Sequence, residues 1–141
     1  MKGIICESVN RFKRQEMAEP VPAEREALIK IRRIGICGTD MHAYRGNQPF
    51  FTYPRMLGHE LAGVIEHIGE NEQGLQKGDQ VGIIPYLECG TCFACRHGKT
   101  NCCEHLQVLG VHKDGGMCEL LAVPVTHLIP ANDLTLGFPA L

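Results

Sequence analysis

Cys89, Cys92, Cys95 and Cys103 follow the spacing Cys-x2-Cys-x2-Cys-x7-Cys, and no other feature restricts so tightly what this chain can fold into. Gaps of two residues let successive thiolates turn toward one point, and Gly90 and Gly98 supply pliable backbone for those turns. Four thiolates at about 2.3 Å from one ion make the closed tetrahedral site of structural zinc. Such even spacing seldom arises without a shared ligand, so a zinc-binding lobe is expected over residues 86–106. The lobe does not specify a function. Four-cysteine lobes also stabilise ribbons that bind nucleic acids or proteins, which makes a non-enzymatic interaction module one reading of the chain.

A length of 141 residues suits one domain that buries roughly two-thirds of its unfolded surface without disulfide support. Eight cysteines in a secreted chain would suggest disulfides. Here, however, Met1-Lys2-Gly3 leads into Ile4-Ile5-Cys6, an apolar run too short for a signal peptide. A cytoplasmic protein with reduced thiols is expected. No apolar stretch approaches the length of a membrane span, so no membrane partner is expected. The net charge is −2, and basic residues are scattered apart from short clusters such as Arg11-Phe12-Lys13-Arg14, which argues against a nucleic-acid partner.

Glycine and proline divide the sequence into short segments rich in β-branched and apolar residues. The best strand candidates are Ala27 to Ile36, His59 to Ile68, Val81 to Ile84 and Met117 to Val123. In Leu28 to Ile34 the apolar residues fall largely on alternate positions, the period of a half-buried strand. Lys77-Gly78-Asp79 and Asp114-Gly115-Gly116 are turn chemistry. Only Thr39 to Arg45 reads as a helical turn or two, begun by Gly38 or Thr39. The expected fold is mainly β: a small, partly open barrel with short helical turns, into which the cysteine lobe is inserted between Pro85 and a strand pair near Val108 and Met117.

A second constellation sits at two strand ends. Cys37-Gly38-Thr39-Asp40-Met41-His42 closes one candidate strand and Gly58-His59-Glu60 opens the next. Alone, a cysteine at a strand end is ordinarily core and a histidine before a strand ordinarily a polar loop residue. Together, and beside a separate four-cysteine lobe, a thiolate, an imidazole and carboxylates outline a catalytic zinc site with one open position.

With these residues in place, the chain resembles the N-terminal, GroES-like domain of the zinc-containing medium-chain alcohol and polyol dehydrogenases. The resemblance runs from the first strand to Leu141. It rests on residues 35–42, on 54–63 (Pro-Arg-Met-Leu-Gly-His-Glu-Leu-Ala-Gly), on Gly78-Asp79-Gln80-Val81, on the cysteine lobe and on Gly115-Gly116-Met117-Cys118-Glu119. Residues 46–51 and 110–116 look most like the branch acting on L-galactonate- or L-gulonate-type sugar acids. The resemblance implies an NAD(P)-linked oxidation of a secondary alcohol in a polyol or sugar acid, with one structural and one catalytic zinc. It makes Cys37 and His59 ligands of the catalytic zinc, and Glu60 either a third ligand or a nearby base. Thr39 would receive the alcohol proton, His42 would pass it toward solvent, and Asp40 would hold the His59 ring through its other nitrogen. Full-length members are expected to be homo-oligomers.

Two departures accompany the resemblance. The loop Gly69-Glu70-Asn71-Glu72-Gln73 is polar where the family places an apolar residue at the position of Glu72. The family also continues into a Rossmann domain with a Gly-x-Gly-x-x-Gly turn that holds NAD or NADP, and no such motif occurs in these 141 residues. Residues 1–141 are therefore read as the GroES-like catalytic domain without its cofactor domain, inactive in isolation; a truncated, inactive zinc-stabilised domain is the alternative. Cys6, Cys102 and Cys118 are expected to be small apolar fillers, with Cys102 able to compete for the metal. His67, His97, His105, His112 and His127 are expected in loops or facing solvent without a partner. Phe50-Phe51 either lines the substrate cleft or packs its loop.

Overall fold

The computed structural model describes residues 1–49 and 51–133. Strands β1 (Lys2–Ser8) and β2 (Arg11–Glu16) form an antiparallel hairpin. Its turn is made by Asn10 at φ 59, a left-handed conformation that asparagine tolerates better than most residues. After β3 (Glu26–Gly35) comes helix α1 (Gly38–Arg45), which ends where Gly46 takes φ 79 and Asn47 N–H bonds back to His42 O at 2.9 Å. Tyr44 docks this helix on the hairpin. Its hydroxyl donates to Asn10 O at 2.9 Å, Asn10 N–H donates to Tyr44 O at 2.7 Å, and its ring stacks on Phe12 with centroids 5.0 Å apart.

Strand β4 (Arg55–Met56) adds to β1, giving a three-stranded sheet in the order β2-β1-β4. Next come β5 (Glu60–His67), β6 (Gln80–Ile83), β7 (Tyr86–Leu87), the short helix α2 (Phe93–Arg96), β8 (Gln107–Val108), β9 (Leu120–Pro124) and β10 (Leu128–Pro130). The main sheet has the order β10-β6-β5-β3-β9, antiparallel throughout, and β7 pairs with β8 in a separate ladder. The architecture is mainly β with open sheets, in line with the expected partly open barrel.

The alternation seen in the sequence sets the buried face. Ala27 and Ile29 on β3, Leu61 and Ile65 on β5, Val81 and Ile83 on β6, and Val123 on β9 form one core with Leu75, Leu109 and Leu128. Each large side chain buried there stabilises the fold by roughly 1.5–3 kcal/mol. A second, smaller cluster, Cys6, Ala43 and Leu57 with Tyr44, Phe51, Tyr53 and Met117, binds α1 to the turn before β5.

Several expectations need correction. Periodicity misses β1 and β2, since β2 is Arg-Phe-Lys-Arg-Gln-Glu, almost wholly exposed and without a buried face to impose alternation. Met117 and Cys118 precede β9 rather than opening it, and Val108 pairs with Tyr86 of β7, so the lobe is closed by its own two-residue ladder. Helix α1 begins at Gly38, one of the two expected starts, with Cys37 as its cap. Cys102 is exposed and therefore fills nothing, whereas Cys6 is fully buried as expected. The polar loop after Gly69 is ordered by Asn71, whose side chain bonds Gly69 O, Leu75 O and Leu75 N–H at 3.1, 2.9 and 3.0 Å. Phe50 lies outside the described residues; Phe51 packs its loop, edge-on to Tyr53 with centroids 4.8 Å apart.

Candidate metal centres

The lobe gathers its four cysteines through three local devices. The β7–β8 ladder brings the arms together, α2 starts from Cys92 and carries Cys95, and a 3-10 turn over Thr100–Cys102 delivers Cys103. Their Sγ atoms all lie within 4.8 Å of one another, with Cys92–Cys95 at 3.5 Å and Cys89–Cys95 at 4.0 Å. Sulfurs placed tetrahedrally about one ion at the zinc–thiolate distance would be about 3.8 Å apart, so the cluster has the size of a zinc site. The cysteines are free rather than disulfide-bonded.

Backbone amides point at the sulfurs: Cys92 N–H to Cys89 Sγ at 3.4 Å, and Cys89 and His105 N–H to Cys103 Sγ at 3.3 Å each. Amide donation from Thr91 and Cys92 lowers the Cys89 thiol to about 6, while desolvation and the neighbouring thiols push Cys95 up to about 12. Without a cation the cluster ionises only in part, because several thiolates cannot share so small a volume uncompensated.

The second centre is assembled around Asp40, which is 4% exposed. Asp40 Oδ2 accepts Cys37 N–H at 3.1 Å, the reach-back of a residue at the third helical position to the cap. Its Oδ1 accepts Gly58 N–H at 3.2 Å, the amide immediately before His59. One carboxylate thus ties both arms of the site together. As a result Cys37 Sγ lies 3.0 Å from His59 Nε2, and Cys37, Asp40 and His59 form a second group of ligating atoms within 4.8 Å. His59 Nδ1 faces Asp40 Oδ1 at 3.7 Å and is buried without a hydrogen-bond partner. A thiol, an imidazole nitrogen and a buried carboxylate, with an orphaned ring nitrogen beside them, fit a borderline-soft cation such as zinc.

The turn bearing His59 is clamped from outside. Gly58 holds φ +93, and Gly115, Gly116 and Met117 donate their N–H groups to Met56, Gly58 and Leu57 carbonyls at 2.8, 2.8 and 3.0 Å. Asp114 Oδ1 accepts a further bond from Met56 N–H at 3.0 Å. The Asp-Gly-Gly motif is legible as a turn in the sequence, but its role as a clamp is not.

The remaining expected site residues are placed as follows. Thr39 is half-buried and His42 exposed, three residues apart on α1 and so on neighbouring positions of one face. Glu60 is not in the Cys37–Asp40–His59 group; it is exposed, paired in register with Gly35, and its carboxylate folds over the Gly35 Cα, where any Cβ would collide with it. Three of the histidines expected without partners have them. His97 Nδ1 is 2.8 Å from Phe93 O, His112 Nδ1 accepts Val108 N–H at 3.1 Å, and His127 is buried between Glu88 and Thr126.

Residues 23–133 match the alcohol dehydrogenase GroES-like domain, and the chain belongs to that family. Among its relatives, it is 50% identical over 134 residues to L-galactonate-5-dehydrogenase of Escherichia coli (strain K12), covering 95% of this chain and 39% of that protein. It is 44% identical to the starvation-sensing protein RspB of the same organism, covering 90% of this chain and 38% of the relative. Among solved structures, galactitol-1-phosphate dehydrogenase from Escherichia coli superposes with a TM-score of 0.84 at 30% identity, over 92% of this chain and 38% of the other. The rspB alcohol dehydrogenase from E. coli CFT073, complexed with NADH, superposes with a TM-score of 0.83 at 41% identity, over 92% of this chain and 38% of the other. The chain thus spans 39% and 38% of the length of the first two curated relatives. Among the described residues, no helix is long and apolar enough to cross a membrane.

Proposed function

We propose that this chain is the substrate- and zinc-binding part of a dehydrogenase that oxidises a secondary alcohol of a polyol or sugar acid with NAD or NADP, in the reducing cytoplasm. The observation that carries the reading is the 3.0 Å approach of Cys37 Sγ to His59 Nε2, enforced by the two amide bonds to Asp40. Cys37 and His59 would hold the catalytic zinc, and Cys89, Cys92, Cys95 and Cys103 the structural one. When bound, the zinc supplies Lewis acidity of the kind that lowers water from a pKa of 15.7 to about 7, and the nicotinamide supplies the hydride acceptor.

The chain's own groups do the rest. Asp40 fixes the separation of the two ligands and faces the Nδ1 side of His59, which orients the ring and favours the tautomer with its free lone pair on Nε2. Thr39 takes the hydroxyl proton from the substrate, and His42, three residues on and exposed, relays it to water. Glu60, close in sequence but folded over Gly35, acts as a nearby base rather than as a ligand in this arrangement. The preference for polyols or sugar acids rests on the similarity to the galactonate and galactitol-phosphate enzymes.

The test is activity of a full-length dehydrogenase that carries these residues. Cys37→Ala and His59→Ala should each lower kcat about 100- to 1000-fold, as loss of a central charge-stabilising group does. Each should also leave the lobe's metal content unchanged by elemental analysis. Wild-type turnover in either variant would reject the site.

A further inference from the structure

Glu88 and His127 are 39 residues apart in sequence, yet their side chains meet where the first arm of the lobe leaves the main sheet. His127 Nε2 lies 3.0 Å from Glu88 Oε2, and Thr126 Oγ1 lies 3.0 Å from His127 Nδ1. Both ring nitrogens are therefore engaged: a neutral ring with its proton on Nε2 donates to Glu88 and accepts from the Thr126 hydroxyl. The backbone locks the histidine as well, because its carbonyl accepts Ile84 N–H at 2.8 Å at the end of β6. The His127 side chain is only 8% exposed. Glu88, its partner, immediately precedes Cys89 in the chain.

Leu87 packs the first arm of the lobe against the main core, and beyond it the corner is open. Glu88 and His127 line a cavity of about 350 Å³ together with Ile84, Tyr86 and Leu106. Nearby, the lobe is tied down by the two-residue β7–β8 ladder and by Leu109 N–H to Pro85 O at 3.0 Å. The Glu88–His127 bond fixes the arm on the Cys89 side of Leu87, beside this cavity.

We propose that the Glu88–His127 bond is a latch that positions the Cys89 sulfur and slows the escape of metal from the four-cysteine lobe, with Thr126 setting the ring's orientation. Glu88 and His127 are positioning residues and ligate nothing. The inference rests on the reading of the lobe as a zinc site.

The test is release of metal from the chain loaded with cobalt, whose thiolate absorption separates the four-sulfur lobe from the Cys37–His59 site, on addition of excess chelator. Glu88→Ala, at a partly exposed position, and His127→Leu should each speed release from the lobe about tenfold, the factor that corresponds to ~1.4 kcal/mol. Release from the Cys37–His59 site should not change. Glu88→Gln and His127→Gln keep an acceptor and a donor at the junction and should restore most of the wild-type rate. Unchanged lobe release in Glu88→Ala would overturn the latch, as would equal acceleration at both sites without rescue by the glutamine variants, which is the mark of general destabilisation. A wild-type lobe that takes up no cobalt would instead overturn the reading of the lobe itself.

Discussion

Asp40 shows how much one side chain organises in this molecule. A buried carboxylate is costly unless its oxygens find donors, and here the donors are the backbone amides of Cys37 and Gly58. Those amides belong to the two arms of the candidate catalytic site, so satisfying Asp40 and closing the site are one event. Cys89 is the corresponding residue of the lobe. Its thiol, lowered to about 6 by the Thr91 and Cys92 amides, is mostly ionised at neutral pH, while Cys95, raised to about 12, keeps its proton. In the metal-free chain a depressed thiol adds stability that is complete above the unfolded value of 9.0 and is lost as pH falls through about 6. Zinc loading of the lobe alone at pH 7, in the Cys37→Ala variant, should accordingly displace fewer than four protons. Calorimetry in buffers of different ionisation enthalpy counts them, and release of four would contradict an ionised Cys89.

At the scale of elements, helix α1 and the turn before β5 are set by contacts from distant parts of the chain. The β1–β2 hairpin grips Tyr44, and residues 115–117 run backbone to backbone against residues 56–58. That close approach leaves no space for a side chain at Gly115, where a Cβ would collide with the carbonyl oxygens of Gly58 and Leu57. Gly115→Ala should therefore destabilise the chain by about 1–3 kcal/mol, the range of overpacked sites, as read by the urea midpoint at unchanged slope. It should also weaken metal binding at Cys37 and His59 while sparing the lobe, since the backbone hydrogen bonds of residues 115–117 go to residues 56–58 and to Ile4, away from the lobe. A variant as stable as wild type would show that the 115–117 segment can move away freely.

For the molecule as a whole, the two candidate metal centres lie on one antiparallel scaffold, and the sequence contains no Gly-x-Gly-x-x-Gly turn to cradle a dinucleotide. Hydride transfer requires the donor carbon and the acceptor ring to be held together, a positioning effect worth roughly 7–11 kcal/mol of barrier. These 141 residues should bind neither NAD nor NADP detectably in calorimetry and should not oxidise sugar acids alone. Saturable binding at micromolar concentration would show that the division of labour proposed here is wrong.

The clustering of the lobe cysteines was legible in the sequence because their spacing is local. Cys-x2-Cys-x2-Cys within seven residues is held by one loop and one short helix, so its geometry follows from covalent reach. The strands β3, β5 and β6 were legible for a related reason: one buried face imposes alternation on the residues themselves. What lies between distant segments was not. The exposed strand β2 carries no periodic signal, the Glu88–His127 pair joins residues 39 apart, and the carboxylate of Glu60 is placed by its register opposite Gly35. Residue types and spacing determine which ions this chain can hold, because donor chemistry belongs to the side chain. Only the tertiary structure decides which donors meet, because register, loop clamps and the burial of Asp40 depend on contacts that no local window contains.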